Sequence, residues 1–384
     1  MTGVLTLNAG SSSLKFGLYD DTPEPTLLVS GQVDAIGGAS QLILRATDAS
    51  VTTPCDAVSH HAALVRVIEA LAPYLGDITI TGVGHRVVHG GPDLADPVIV
   101  TPEIETALHA LVPLAPLHQP HNLAGIAAAR DQFPDAVQVA CFDTAFHRGH
   151  PWVNDTFALP RRFYDEGIRR YGFHGLSYDY ITSVIERDEP DLHAGRIIIA
   201  HLGNGASMCA VRHGKSIGST MGFSALDGLP MGTRSGQIDP GAVLHLIEER
   251  GMTSKDVLSL LYTQSGLLGL SGISSDMRSL LASDAPEAAQ AIDYYVFRAR
   301  REIGALSAVL GGLDALVFSG GIGENAAIIR QRIVDGMDYL GLRMAKDPDP
   351  QARDIGAGPA RILVIPTDEE RVIARAVRRA CSAS

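Results

Sequence analysis

The chain has 384 residues, of which 46% are apolar and 19% charged, and its formal net charge is −12. This composition is typical of a folded α/β enzyme and excludes a disordered or fibrous chain, while the negative charge argues against binding nucleic acid or an anionic membrane through the overall field. The length predicts two domains of roughly 150–200 residues each.

Strand-like and helix-like segments alternate along the chain, which predicts mixed or parallel sheets covered by helices and therefore an α/β fold. The predicted strands are 4–7, 16–19, 78–83, 136–142, 196–201, 206–211, 315–318 and 361–365. The predicted helices are 58–75, 122–133, 177–187, 239–250, 286–310, 325–340 and 368–381.

The first predicted hairpin, VLTLNAGSSSLKFGLYD, breaks at a turn of small and hydroxyl residues that ends with Lys15. Small residues leave backbone N–H groups uncovered and Lys15 adds a positive charge, so this turn could surround a phosphate. A solvated hairpin turn is the alternative. A second stretch, IIIAHLGNGASMCAVRHGK, repeats the plan half a chain later, with Asn8 and Asn204 expected at corresponding turns. The repeat indicates a duplication with a nucleotide held between similar domains, although chance similarity of two glycine-rich hairpins is an alternative.

Two motifs in the first half place polar groups at strand ends. GHRVVHGG contains Arg86, whose planar guanidinium suits a carboxylate or phosphoryl group, or else forms a structural ion pair. FDTAFH ends an apolar strand with Asp143, which predicts a magnesium ligand or a helix N-cap. APLHQPHN sets His118 in a proline-bounded loop, where it could cap the next helix or take part in chemistry.

The second half contains further polar motifs. RRYGFHGLS holds His174, which could also be a core histidine, and MGTRSGQIDPG puts Arg234 in a glycine loop before a helix that Asp239 is expected to cap. LVFSGGIGENAAIIRQRI predicts a strand, a glycine turn and a helix, and matches G-x-G-x-x-A only weakly. IPTDEER places Asp368, Glu369 and Glu370 next to one another, where they could form the acidic first turn of a helix or bind a metal. In combination these motifs predict phosphoryl transfer from a nucleotide, which requires positioning, Mg²⁺ and cationic stabilisation.

The chain resembles the acetate kinase family of the sugar kinase, Hsp70 and actin-like superfamily. LNAGSSSLK, GHRVVHGG, FDTAFH, YGFHGLS, HLGNGAS, MGTRSG, GGIGEN and PTDEE occur in the family's order over essentially the whole chain. The resemblance implies two duplicated actin-like (ribonuclease H-like) domains with a nucleotide cleft between them. Residues 1–146, joined by the C-terminal helix at about 371–384, would form the first domain and 147–370 the nucleotide-binding domain. It also implies Mg²⁺-dependent, direct in-line transfer from ATP to acetate in a homodimer, with Mn²⁺ able to substitute. The N-terminal residues show no signal-peptide pattern and the longest helix-like stretch, 286–313, contains charged residues, which predicts a soluble cytoplasmic protein.

The resemblance also implies roles for particular residues. The catalytic residues would be Arg86, Asp143, His174 and Arg234. The acetate and phosphate would contact Asn8, Ser11, Ser13, Lys15, Val88, Leu117, Phe173 and Ala225. The nucleotide would contact His201, Asn204, Gly205, Asp276, Met277, Arg278, Gly321, Gly323 and Asn325. Magnesium would be held by Asn8, Asp143 and Glu369, and His118 would lie near the site.

The chain departs from the family at the acyl pocket. It reads GFSALDGL where the family usually reads GFTPLEGL, so Ala225 replaces a proline. A larger pocket is expected to admit propionate, because one methylene changes discrimination by only ~1–3 kcal/mol. LHQPHN and SSDMR also differ from the commoner LHNPAN and SSDFR.

Other functions are weighed against these motifs. A propionate or butyrate kinase is the nearest alternative, and a nicotinamide-dependent dehydrogenase would rest on Gly321–Ala326 alone. A non-enzymatic actin- or Hsp70-like nucleotide switch would not require Arg86, Arg234 and His174. The four cysteines are far apart without C-x-x-C spacing, which predicts reduced thiols rather than a zinc or redox site.

Overall fold

The computed structural model describes residues 2–10, 12–46, 49–349 and 351–383. The chain divides into two compact units. The first unit consists of the residues up to Arg148 together with those from Asp368 onwards. The second unit is Gly149–Thr367.

Strands and helices alternate within both units. The strands are β1 (Thr2–Ala9), β2 (Ser13–Asp20), β3 (Leu27–Asp34), β4 (Gln41–Ala46), β5 (Ala49–Pro54), β6 (Thr79–Val87), β7 (Val98–Ile99), β8 (Val137–Phe142), β9 (Arg196–Leu202), β10 (Ala206–Arg212), β11 (Lys215–Ser219), β12 (Ala315–Ser319) and β13 (Arg361–Val364). The helices are α1 (His60–Leu75), α2 (Pro102–Ala110), α3 (Gln119–Gln132), α4 (Trp152–Asp155), α5 (Arg161–Asp165), α6 (Gly175–Asp188), α7 (Pro190–His193), α8 (Pro240–Glu248), α9 (Ser254–Thr263), α10 (Gly266–Ser271), α11 (Met277–Leu281), α12 (Pro286–Leu310), α13 (Gly320–Asn325), α14 (Ala327–Val334) and α15 (Glu369–Ala383). Short 3₁₀ turns occupy Val112–Leu114, Ala145–His147 and Asp338–Leu340.

The two sheets share a five-strand plan. The first unit's sheet has the order β5-β4-β3-β2-β1-β6-β8-β7, and the second unit's sheet has the order β11-β10-β9-β12-β13. From β3 to β8, and from β11 to β13, two antiparallel pairings are followed by two parallel ones. In both units the first three strands form a meander, and two later strands, β6 and β8 or β12 and β13, extend the sheet in parallel from the first strand of that meander. This shared order supports the duplication inferred from the two hairpins.

Each sheet is covered by helices, as parallel strands require. In the first unit α1 and α3 pack against the sheet, with Leu5, Leu7, Leu64 and Val67 in the core. On β6 a side chain at Gly84 would meet Ile373 at 2.3 Å, so the lack of a Cβ allows α15 to pack closely. In the second unit β12 is buried along its whole length, and the 25-residue helix α12 packs against β9 and β10.

All eight predicted strands are present, and the missed ones are β3, β4, β5, β7 and β11. The single helix predicted at 325–340 is wrong. The chain forms α13 and α14 there, separated at Ala326, and α14 ends at Val334, two residues before Gly336, which has a φ of 72°. The expected Asp239 cap of α8 is confirmed, and none of the four cysteines forms a disulfide. Within the described ranges, no helix combines the length and the apolar character needed to cross a membrane.

Candidate active site

In the first unit, two side chains meet where neighbouring parallel strands end. Arg86 is the penultimate residue of β6 and Asp143 directly follows β8. The Arg86 Nε donates to Asp143 Oδ1 at 3.0 Å, and Nη2 donates to Oδ2 at 2.5 Å. Asp143 is only 1% exposed, so this is a buried two-point ion pair. The side chain of Asp143 therefore orients Arg86 rather than capping a helix.

Arg86 keeps donors for a ligand. Its Nη1 also donates to Asn8 Oδ1 at 3.2 Å, so these contacts use three of the five guanidinium N–H groups. Burial opposes the positive charge, but the Asp143 and Glu369 carboxylates outweigh it and raise the pKa of Arg86. The guanidinium is thus a fixed cation with one remaining N–H on each terminal nitrogen, which suits two oxygens of a carboxylate or phosphoryl group.

The first turn of α15 adds carboxyl groups to this region. Burial, with a further contribution from Asp143, raises the pKa of Glu369 although Arg86 and Lys15 act in the opposite direction. Burial and Glu369 raise the pKa of Glu370. Asp368 instead accepts a hydrogen bond from the Arg371 backbone N–H at 3.0 Å, which is ordinary capping. We call Asn8, Arg86, Asp143, Glu369 and Glu370 the acidic edge of the first unit.

The acidic edge has the donor chemistry of a magnesium site that a substrate completes. Among the described residues, no three His, Cys, Asp or Glu side chains are grouped so that they could hold a metal by themselves. Mg²⁺ is usually bound through one or two carboxylates together with phosphates and water. Asn8, Asp143 and Glu369 supply oxygen ligands of this kind. Burial is the main cause that raises the pKa of Glu369, and a bound cation would offset it together with the repulsion from Asp143.

The first hairpin differs in detail from the expected plan. Asn8 lies within β1 and pairs with Lys15 of β2, whereas Asn204 lies in the turn after β9, so the two asparagines are not at corresponding positions. Ser13 begins β2, and Ser11 is outside the described residues. Of the expected acyl-pocket residues in this unit, Val88 is 5% exposed and Leu117 is 38% exposed. His118 stands at the N-cap of α3 without a side-chain capping bond.

In the second unit, His174, Arg234 and Gly205 come together. A Cβ at Gly205 would lie 3.2 Å from His174 Nε2 and 3.9 Å from Arg234 Nη1. His174 precedes α6 with a left-handed φ of 58°, a conformation that costs a non-glycine residue roughly 1–2 kcal/mol. Such strain is common at functional positions, and His174 is only half-buried, so it is not a fully buried core histidine.

His201 and Arg234 have further contacts around the same turn. The rings of His174 and His201 stack with centroids 4.5 Å apart, and Ser177 Oγ lies 2.8 Å from His201 Nδ1. Arg234 Nη1 donates to the Ala225 carbonyl at 3.3 Å. We call His174, His201, Gly205 and Arg234 the histidine turn of the second unit. Phe173, next to it in sequence, is 3% exposed.

The expected nucleotide contacts lie on a strand, in the turn that follows it, and on or beside two short helices. The Gly232 N–H donates to the Asn204 carbonyl at 3.1 Å. Asp276 caps α11 and pairs with the exposed Arg278 at 2.8 Å, and Met277 between them is 2% exposed.

The glycines of GGIGEN lie inside α13, so the prediction of a glycine turn before the helix is wrong. A Cβ at Gly203 would lie 3.8 Å from the Gly321 nitrogen, so the start of α13 lies beside the histidine turn. Within α13, the Asn325 side chain donates to the Gly321 carbonyl at 2.9 Å.

Sequence reasoning missed several residues that position these groups. Asn122 accepts from the Val88 N–H at 3.0 Å and donates to the Ala9 carbonyl at 2.8 Å, so it joins the ends of β1 and β6. Glu324 accepts from the Gly320 N–H at 2.9 Å. Ser207 Oγ lies 2.8 Å from His174 Nδ1. The partners of Asn122 and Ser207 are distant in sequence, so spacing gave no signal for these two residues.

The family model described as "Acetokinase family" matches residues 3–375. The chain belongs to the acetokinase family. Among its acetokinase relatives, "Acetate kinase" from Methylocella silvestris is 51% identical over 97% of this chain and 96% of its own, and "Acetate kinase" from Rhodopseudomonas palustris is 48% identical over 98% of each.

Solved structures show the same fold. A propionate kinase from Francisella tularensis has a TM-score of 0.91 at 35% identity, covering 98% of this chain and 99% of its own. Acetate kinase from Porphyromonas gingivalis has a TM-score of 0.86 at 35% identity, covering 97% and 98%. The expectation of a mixed α/β chain with the acetokinase, actin-like fold is therefore confirmed.

Proposed function

We propose that this protein transfers the γ-phosphoryl group of ATP to acetate, forming acetyl phosphate and ADP, and that it catalyses the reverse reaction as well. The observation that carries the proposal is the match of nearly the whole chain to the acetokinase family. The acidic edge and the histidine turn add chemical support, because both contain groups suited to phosphoryl oxygens.

The proposed reaction needs no protein nucleophile. A carboxylate oxygen of acetate attacks the γ-phosphorus while the bond from phosphorus to the bridging oxygen breaks, and ADP leaves with that electron pair. Arg86, held by Asp143, offers its two remaining N–H groups to acetate or to the phosphoryl group. The guanidinium of Arg234 neutralises charge on the equatorial oxygens, and His174 Nε2 donates a hydrogen bond to one of them.

We propose that Mg²⁺, with Mn²⁺ as a substitute, is held at Asn8, Asp143 and Glu369 and supplies charge neutralisation for the phosphates. The Asp143 and Glu369 carboxylates lie close enough to repel each other, and this supports the assignment, since a bound cation would relieve that repulsion and favour the ionised carboxylate. Isothermal titration of the protein with MgCl₂ and ADP tests it, and Glu369→Gln should abolish the metal dependence of ADP binding.

The predicted domains, homodimer and cytoplasmic location remain proposals. We propose that the two compact units are the two duplicated domains, and that adenosine lies beside Asp276, Met277, Arg278, Gly321, Gly323 and Asn325. Light scattering coupled to size-exclusion chromatography tests the dimer, since a monomeric mass would contradict it.

The deciding experiment is a hydroxamate assay for acetyl phosphate with the wild type and Arg234→Ala. The wild type should form acetyl phosphate with MgATP, and the variant should lose about 10³-fold in kcat, as expected for removal of a charge-stabilising donor. Arg343→Ala is a matched control, because Arg343 forms an exposed ion pair with Asp338 in the same unit. Wild-type protein that binds NAD and forms no acetyl phosphate would reverse the proposal in favour of a dehydrogenase.

Propionate is a second candidate substrate. Ala225 lacks the proline ring that the family usually has there, and the propionate kinase from Francisella tularensis has the same fold. We therefore expect measurable propionate use beside acetate.

A further inference from the structure

Behind His174, on the side away from its Nε2 atom, lies a chain of buried hydroxyl groups. His174 Nδ1 lies 2.8 Å from Ser207 Oγ, and Ser207 Oγ lies 2.5 Å from the phenolic oxygen of Tyr178. Ser207 and Tyr178 are both 0% exposed. Ser207 lies on β10, and Tyr178 is in the first turn of α6, just after His174. The fold thus brings a strand and a helix together at one nitrogen of the imidazole.

The opposite nitrogen of His174 faces the turn. A Cβ at Gly205 would lie 3.2 Å from Nε2, the closest contact that such an atom would make. Any oxygen bound at this turn would therefore meet Nε2 and not Nδ1. To stabilise a phosphoryl oxygen, Nε2 must carry a proton.

The neighbouring ring favours a neutral His174. The imidazole of His201 stacks on it with a centroid separation of 4.5 Å and an angle of 25° between the planes. Arg234 also lies near the same turn. Two stacked imidazolium rings beside a guanidinium would repel one another, so this geometry disfavours charge on both rings, and the Ser207 hydroxyl at Nδ1 can serve a neutral His174 as a donor. A neutral imidazole that donates from Nε2 must accept at Nδ1.

We propose that Tyr178 and Ser207 form a hydroxyl relay that fixes the tautomer of His174. Tyr178 donates its O–H to Ser207 Oγ, and Ser207 donates its own O–H to His174 Nδ1. The imidazole proton is then held on Nε2, directed at the turn that contains Gly205. Ser207 and Tyr178 are positioning residues, since they act through His174. The role of this tautomer in catalysis rests on the proposed phosphoryl transfer. The tautomer follows from the hydrogen bonds alone and does not depend on that function.

The tautomer can be observed directly. Magic-angle-spinning NMR of full-length protein labelled with ¹³C,¹⁵N-histidine distinguishes Nε2-protonated, Nδ1-protonated and doubly protonated rings by their nitrogen shifts. The chain has 14 histidines, so the His174 signal is identified as the one lost in His174→Gln. We expect the Nε2-protonated tautomer in the wild type, and a mixture of tautomers in Tyr178→Phe and Ser207→Ala.

A matched control separates the relay from general loss of a buried hydroxyl. Tyr295 on α12 is 1% exposed, and its hydroxyl has no hydrogen-bond partner among the described residues. Tyr295→Phe should leave the His174 signal and the kinetics unchanged. A wild-type signal with Nδ1 protonated, or one that neither relay variant alters, would overturn the proposal.

Kinetics supply the second readout. Tyr178→Phe should lower kcat by about 10- to 100-fold, the usual effect of removing a group that orients a functional histidine, while both KM values change less than twofold. Ser207→Thr retains the hydroxyl and should restore most of the activity lost in Ser207→Ala. If the added methyl group prevents folding, Tyr178→Phe decides the question. Wild-type protein without kinase activity would refute the proposed function, and the NMR measurement would still test the relay.

Discussion

The two units share a five-strand order, but they present different chemistry where the corresponding strands end. In the first unit, β6 ends with Arg86 and Val87, and a buried carboxylate follows β8. In the second unit, the corresponding strand β12 ends with Phe318 and Ser319, and glycines follow it. The first unit thus has a network of charged side chains at this edge of its sheet, and the second unit has two imidazole rings beside a glycine-containing turn. The same strand order can therefore carry different side chains at its strand ends, and those side chains decide which ligand atoms each unit is suited to bind.

The largest expected effect concerns the ion pair in the acidic edge. Asp143→Ala leaves the Arg86 guanidinium without its two-point partner and should lower the free energy of unfolding by about 3–5 kcal/mol. Urea unfolding measures this change. Glu105→Gln is the control, because it breaks a more exposed pair with Arg130 in the same unit and should cost no more than about 1 kcal/mol. Equal losses in the two variants would mean that the acidic edge is no more than a surface network.

The histidine turn should respond in activity instead of stability. Gly205→Ala places a methyl group 3.2 Å from His174 Nε2 and is expected to lower kcat by about 10- to 100-fold, since small displacements at a reacting group are costly. The thermal midpoint should change little. In the control Gly149→Ala, the added Cβ would meet no atom within 4 Å. Unchanged kinetics in Gly205→Ala would remove this turn from the proposed reaction.

His85, next to Arg86, should make the stability of the first unit depend on pH. Burial lowers its pKa from 6.5 to about 4, although the hydrogen bond with Gln138 at 2.8 Å acts in the other direction. The unfolded chain therefore binds a proton more readily, and stability falls as the pH drops below 6.5 towards 4. Between pH 7 and pH 5 the loss from this group should be about 2 kcal/mol.

Urea unfolding of His85→Gln at both pH values checks this expectation. The variant should lose that part of the pH dependence, and replacement of the exposed His61 by Gln should retain it. A slope that is the same in His85→Gln as in the wild type would contradict the assignment.

The smallest effect concerns substrate choice. The ratio of kcat/KM for acetate over propionate should be well below a thousandfold, because one methylene is worth only ~1–3 kcal/mol. Ala225→Pro should raise this ratio by about tenfold by narrowing the pocket. Its control is the KM for ATP, which should not change. A wild-type ratio above a thousandfold would show that Ala225 does not widen the acyl pocket.

Much of this protein could be predicted from local patterns. Hydrophobic periodicity located β1, β6, β9 and β12 and the long helix α12, because apolar alternation and helical periods are properties of neighbouring residues. The Asp239 cap followed by Pro240 was predicted for the same reason. The helix predicted at 325–340 failed because its polar and apolar residues fit one helix, while the backbone turns at Ala326 and again at Gly336.

The sequence by itself determined the fold class, the family and the motifs in which the candidate functional residues lie. Each of these depends on the order and spacing of residues along the chain. The tertiary structure alone decided which partner each functional side chain has. Asp143 meets Arg86 across 57 positions, and Ser207 meets His174 across 33. Such contacts arise from strand pairing and helix packing, which bring distant residues together without leaving a periodic trace in the chain.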